Sequence, residues 1–138
     1  WGNFELELEW KVEGPAESGI WFRRTVIRTG YQADLNDGKR PDGVLSGSLW
    51  CYGKQFLAAH RDRNSVNQGG WNRMRIHAAG PDIAVEQNGR KVAQARDGTY
   101  KTGSIGIQIP DGKSHAGMAI YVRNIRIRSL GEARPAAR

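Results

Sequence analysis

The sequence predicts an all-β protein, an antiparallel sandwich of two packed sheets, and three observations carry that reading. Apolar residues recur at every second position along several segments, which is the period of a half-buried strand. Eighteen glycines stand against two methionines, with many Val, Ile and Trp, a composition of β structure with frequent tight turns. No segment carries a convincing helical period, and Asn88-Gly89 between two alternating runs marks a two-residue hairpin.

Phe4, Leu6, Leu8, Trp10 and Val12 share one strand face, opposite Glu5, Glu7, Glu9 and Lys11. Gly14 and Pro15 end that strand. Ile20 and Phe22 face inward on the next, opposite Trp21 and Arg23, and Tyr31, Ala33 and Leu35 oppose Gln32, Asp34 and Asn36. Residues 36–43, "NDGKRPDG", form a loop by composition, and 44–52, "VLSGSLWCY", return to strand with Leu49 and Cys51 on one face and Ser48, Trp50 and Tyr52 on the other. Residues 53–70 are predicted as a long loop with a helical turn at 54–60. Strands follow over 71–78, with Met74 and Ile76 inward, over the 82–95 hairpin, over 103–110 and over 118–130. In the last of these the apolar phase changes from Ile120 and Val122 to Ile125 and Ile127, so a β-bulge is expected near Arg123-Asn124. Residues 1–130 thus read as one domain of 138, and 131–138 as a flexible tail.

Composition narrows the function. Hydrophobic residues are 38% and charged residues 25%, as in globular proteins. No run approaches the roughly 18 apolar residues of a membrane span. The net charge of +7, from 21 basic and 14 acidic residues, raises a polyanion-binding reading, acidic polysaccharide or nucleic acid. Its scatter over Arg123, Arg126, Arg128, Arg134 and Arg138, without a nucleic-acid motif, disfavours nucleic acid. Cys51 is the lone cysteine and reads as a small buried residue. The chain opens on Trp1 rather than Met, so a preceding segment is expected.

Metal and nucleophile signals are weak. His60, His77 and His115 lack partners at zinc spacing, so no cofactor is predicted. A divalent cation stays open as an alternative, because sparse oxygen ligands leave no spacing to read. "ELELE" puts Glu5, Glu7 and Glu9 on one face about 6–7 Å apart, wider than the carboxyl pair of a retaining glycosidase, and a solvated outer face is expected there.

The polar faces of "GIWFRR", "GYQADLND" and "GSLWCY" point to a ligand. Side by side they offer Trp21, Arg23, Gln32, Asp34, Trp50 and Tyr52. Aromatic rings cover the C–H faces of pyranoses, while amide, carboxylate and guanidinium groups satisfy hydroxyls that both donate and accept. This mixture predicts a carbohydrate partner.

The same segments, with "GGWNRMRIHAAGPDIAVEQNGRKV" and "MAIYVRNIRIRSL", resemble the 3-keto-disaccharide hydrolase family across residues 1–130. The resemblance implies a concanavalin A-like jelly roll whose members carry further strands before the position of Trp1, and export to the periplasm or cell surface. It implies cleavage of 3-keto-glycosides by proton abstraction at C2, elimination of the C1 aglycone and hydration. Carried onto this chain, it implies Asp34 as base, Arg23 as enolate stabiliser, and His60 as the alternative base. Gln32 would position hydroxyls, and Trp21, Trp50 and Tyr52 would contact the sugar. Relatives often have an acidic pair where this chain has Cys51 and Tyr52, and a non-catalytic lectin-like module is the alternative reading.

Overall fold

The computed structural model describes residues 1–132. Those residues form two five-stranded antiparallel sheets. The strands are β1 (Phe4–Glu13), β2 (Glu17–Arg24), β3 (Tyr31–Asn36), β4 (Leu49–Cys51), β5 (Gln55–Ala58), β6 (Asn72–Ala79), β7 (Asp82–Gln87), β8 (Arg90–Arg96), β9 (Ser104–Ile107) and β10 (Ala119–Ser129). One sheet runs β10-β1-β6-β7-β8 and the other β5-β4-β3-β2-β9, the jelly-roll sandwich expected from the sequence. Among the described residues, helix is confined to two 3-10 turns, Arg63–Ser65 and Lys113–His115. Residues 133–138, most of the expected tail, lie outside the described residues.

The core follows the pleat. Phe4, Leu6, Leu8, Trp10 and Val12 are buried from β1, Met74, Ile76 and Ala78 from β6, and Ile20, Phe22, Tyr31, Ala33 and Leu35 from the facing sheet. Phe22 joins the sheets through its ring. It meets Phe4 edge-on at 5.7 Å and stacks on Tyr31 at 5.4 Å, and Tyr31 meets Tyr100 edge-on at 5.5 Å. The Tyr31 hydroxyl donates to the Asp97 carboxylate at 2.6 Å, and Lys54 pairs with the same carboxylate at 2.7 Å. A buried phenol thus keeps its partner, as burial requires.

Local details confirm some expectations and correct others. Asn88 and Gly89 both take positive φ (51° and 83°), the conformation a two-residue hairpin demands. Asn124 takes φ 54° where the β1–β10 register shifts, the bulge expected from the phase change. Residues 44–48, expected as strand, are instead a loop. Gly47 adopts φ 99°, and the Ser48 hydroxyl turns inward to donate to the Leu45 carbonyl and accept from the His60 amide. The helical turn expected at 54–60 is β5. Gly53 and Gln55 take left-handed φ values (86° and 69°), which reverse the chain so that Phe56 returns beside Trp50.

Removing the inter-sheet ring should be costly. Phe22→Ala is expected to lower unfolding free energy by about 3–5 kcal/mol in chemical denaturation; a loss below about 1 kcal/mol would contradict this packing.

Candidate functional site

Cross-strand register builds the site on the outer face of the β5-β4-β3-β2-β9 sheet. Trp21 lies opposite Gln32, Gln32 opposite Trp50, and Trp50 opposite Phe56, so the four form one row across four strands. Trp50 and Phe56 meet edge-on at 5.0 Å. The row continues to Gly106 of β9, where a Cβ would sit 2.1 Å from the Trp21 ring; glycine there is the seat of the indole. One step along β3, Asp34 pairs with Gly19. A Cβ at Gly19 would collide with Gln32 at 2.4 Å, so the missing side chain leaves room for Gln32 beside Asp34. The Gln32 amide donates to the Gln108 side chain at 2.6 Å, which fixes its direction.

The result is a cleft of about 390 Å³. Gln32, Asp34, Trp50 and Tyr52 line it, as the sequence predicts, together with Glu17, Arg40, Phe56, Gln108 and His115, which were not foreseen. Arg40 comes from the loop after β3. Its guanidinium bonds Glu17 at 2.5 Å and grips Asp42 through two nitrogens, at 2.8 and 3.1 Å. The ring of Phe56 lies 5.6 Å beneath that guanidinium. A basic residue inside "NDGKRPDG" gives no periodic signal, so its return over the sheet could not be read from spacing.

Electrostatics single out Asp34. It is 8% exposed, and burial raises its carboxyl to about 7. Arg40 and the Gln32 amide act in the opposite direction, while the Glu17 and Asp42 carboxylates add to the rise. Asp34 therefore changes charge near neutrality, the range suited to a general base. Asp42, gripped by Arg40 and in solvent, is held down at about 2.

Two expected site residues lie elsewhere. Arg23 sits in a bulge between Trp21 and Arg24 with φ 51°, which turns its side chain out of alternation. Its guanidinium is buried, donating to the carbonyls of Gly2 (3.0 Å), Gly80 (2.8 Å) and Tyr100 (3.2 Å). It lines a different cavity, with Asn3 and Pro81, and not the Asp34 cleft. His60 is also buried, its Nε2 2.7 Å from the Ser65 hydroxyl, and burial lowers its pKa; it too is absent from the cleft lining. Trp21 borders an adjoining hollow rather than the cleft itself, and Tyr52 and Gln108 line both.

The opposite sheet gives a contrast. Glu5 on its outer face bonds Arg75 at 2.7 Å, Arg128 at 2.5 Å and His77 at 3.1 Å, and His77 foremost among these partners holds it down at about 2. Glu9 pairs with Arg123 at 3.4 Å, whose guanidinium covers Trp71 at 3.7 Å. "ELELE" is thus an outer face, as expected, and Glu5 and Glu9 on it are paired with cationic side chains. Cys51 is buried, and burial raises its thiol to about 11. Among the described residues, no three His, Cys, Asp or Glu side chains converge as metal ligands.

A jelly roll with an aromatic, carboxylate-bearing cleft on one sheet fits a class of domain that handles saccharides. The chain belongs to the family described as the 3-keto-alpha-glucoside-1,2-lyase-like domain, whose family model matches residues 1–128. Among solved structures it is similar to a Parabacteroides distasonis protein provisionally named a glycosyl hydrolase. That likeness has 26% identity and a TM-score of 0.70, and covers 94% of this chain and 79% of the other. The carbohydrate binding module CBM66 of Bacillus subtilis is similar in fold, with 15% identity, a TM-score of 0.75, and 94% and 76% covered. So is the Caenorhabditis elegans galectin LEC-6, with 14% identity, a TM-score of 0.56, and 92% and 83% covered. No curated protein matches the sequence.

Two outcomes check this geometry. Asp34 holds its proton up to about 7 when folded but only to 3.8 as an ordinary carboxyl, so native stability should fall as pH rises from 4 to 7 and level off above. Asp34→Asn removes that loss. Its stability relative to wild type is expected to climb by about 2–4 kcal/mol over the interval in urea titrations, and a pH-independent difference would count against a buried Asp34. Arg23→Gln should lower stability by about 2–4 kcal/mol while leaving saccharide affinity unchanged; the reverse pattern would return Arg23 to the site.

Proposed function

We propose that the protein binds a 3-keto-glycoside in the Asp34 cleft and eliminates its aglycone. The observation that supports this most is the convergence of the Asp34 carboxyl and the Arg40 guanidinium in a cleft walled by Trp50, Tyr52 and Phe56. A ketone at C3 acidifies the C2 proton. The Asp34 carboxylate takes that proton, the enolate charge gathers on the C3 oxygen, and Arg40 stabilises it. The enolate then collapses back to the C3 ketone, its electrons form the C1–C2 double bond as the C1–O bond breaks, and the aglycone oxygen leaves with the proton held by Asp34. Water adding back across that double bond completes a net hydrolysis. Gln32 and Gln108 hold the hydroxyls, and Trp50 and Tyr52 face the ring. Membership in the lyase-like family supports the substrate class. Arg40 takes the place that the sequence reading gave to Arg23.

One observation favours a second reading, a non-catalytic lectin-like module. Glu17 and Asp42 engage the Arg40 guanidinium at three nitrogens, which leaves less of it for an enolate. Action on a glycoside outside the cytoplasm, in the periplasm or beyond the cell, is part of the same proposal. No helix of the described residues is long and apolar enough to cross a membrane.

Incubation with a chromogenic 3-keto-α-glucoside separates the readings. Release should rise with pH through about 7, following Asp34, and Asp34→Asn should reduce kcat by about 100-fold or more while sugar still binds. Binding without release at any pH would establish the module instead.

A further inference from the structure

The hollow beside the cleft has its own chemistry. It holds about 400 Å³ and joins the Asp34 cleft at Tyr52 and Gln108. Its floor is the Trp21 indole, and the Arg24 guanidinium lies over that ring, 5.0 Å from its centroid. Among the described residues, the two arginines in the lining, Arg24 and Arg28, are accompanied by no carboxylate, whereas the cleft next door has Glu17 and Asp34. Among the described residues neither arginine is ion-paired.

This arrangement is held in place by the chain. The bulge that buries Arg23 returns Arg24 to the same face as Trp21. The Thr29 hydroxyl accepts from the Thr25 and Val26 amides and donates to the Val26 carbonyl, which closes the turn carrying Arg28. Arg28 itself takes φ 63° in that turn. Gly30 (φ 92°) ends it where a Cβ would lie 2.7 Å from the Phe22 carbonyl oxygen. Apolar side chains complete the rim, with Ile27 75% and Ile109 73% exposed. An uncharged aromatic floor, an apolar rim and two arginines without acidic partners suit a ring that carries negative charge.

We propose that this hollow is the aglycone subsite and selects a ring bearing a carboxylate. The assignment rests on the saccharide reading of the Asp34 cleft, because the sugar in that cleft sets which side the leaving group occupies. The ring lies beside the Trp21–Arg24 pair, and its carboxylate meets the Arg24 and Arg28 guanidiniums. Two sources share this chemistry, an aryl carboxylate and a uronic acid residue.

Calorimetric binding at low ionic strength tests the assignment without requiring turnover. The probes, each in its 3-keto form and measured on Asp34→Asn so that none is turned over, are methyl α-glucoside, phenyl α-glucoside, 4-carboxyphenyl α-glucoside, α-glucosyl-glucose and α-glucosyl-glucuronic acid. At least one carboxylate probe is expected to bind about tenfold more tightly than its neutral counterpart. Whichever pair shows the gain identifies the aryl or the uronic source. The double variant Arg24→Gln/Arg28→Gln should erase the gain and leave methyl α-glucoside affinity unchanged. Equal binding of charged and neutral probes, or a preference that survives the double variant, overturns the subsite. Failure of methyl α-glucoside to bind, with the charge preference intact, overturns the saccharide reading of the cleft and leaves the anion site standing.

Discussion

The register of β2 against β3 is the constraint on which the rest depends. Pairing Ile20 with Ala33 and Phe22 with Tyr31 sends four apolar side chains into the core. The same pairing leaves Trp21 opposite Gln32 and Gly19 opposite Asp34 on the other face. Because side chains alternate strictly, a slip of one residue would exchange the two sets. The inter-sheet contacts of Phe22 therefore protect the polar face as much as the core, and the cleft inherits its geometry from packing it does not touch.

Environment, more than residue type, then decides what each carboxylate can do. Glu5 lies on an outer sheet face among Arg75, His77 and Arg128, and its charge is held by those partners. Asp34 lies in a concavity where solvent is largely excluded and Arg40 is shared with Glu17 and Asp42. Burial without a dedicated partner pushes a carboxyl toward neutrality in charge, and a dedicated partner pushes it the other way. One sheet thus carries paired, inert charge, and the other carries a carboxyl poised to exchange a proton near pH 7.

Much of this was legible because a strand writes its two faces into alternate residues. β1, β2, β3, β6, the Asn88-Gly89 hairpin and the bulge at Asn124 could all be read that way. Gln32, Asp34, Trp50 and Tyr52 were found in the cleft for the same reason. Reading failed where a left-handed residue broke the alternation. Arg23 turned inward at its bulge, and Gly53 with Gln55 folded β5 back as a strand. Loops carried the rest. Arg40 follows β3 and His115 closes a 3-10 turn, and loop residues have no period from which to infer where they return, whereas Gln108 falls inside the strand expected over 103–110 and just past the observed end of β9 at Ile107. The aromatic and polar floor was visible in the sequence, while the cation above it was not.

The most direct measurement is a crystal structure of the protein soaked with a 3-keto-glucoside analogue that lacks a leaving group. The sugar ring is expected against Trp50 and Tyr52, with the Asp34 carboxylate within about 3.2 Å of C2 and the C3 oxygen turned toward Arg40. A saccharide bound on the Glu5 face, or one seated in the cleft with C2 out of reach of every carboxylate, would contradict it.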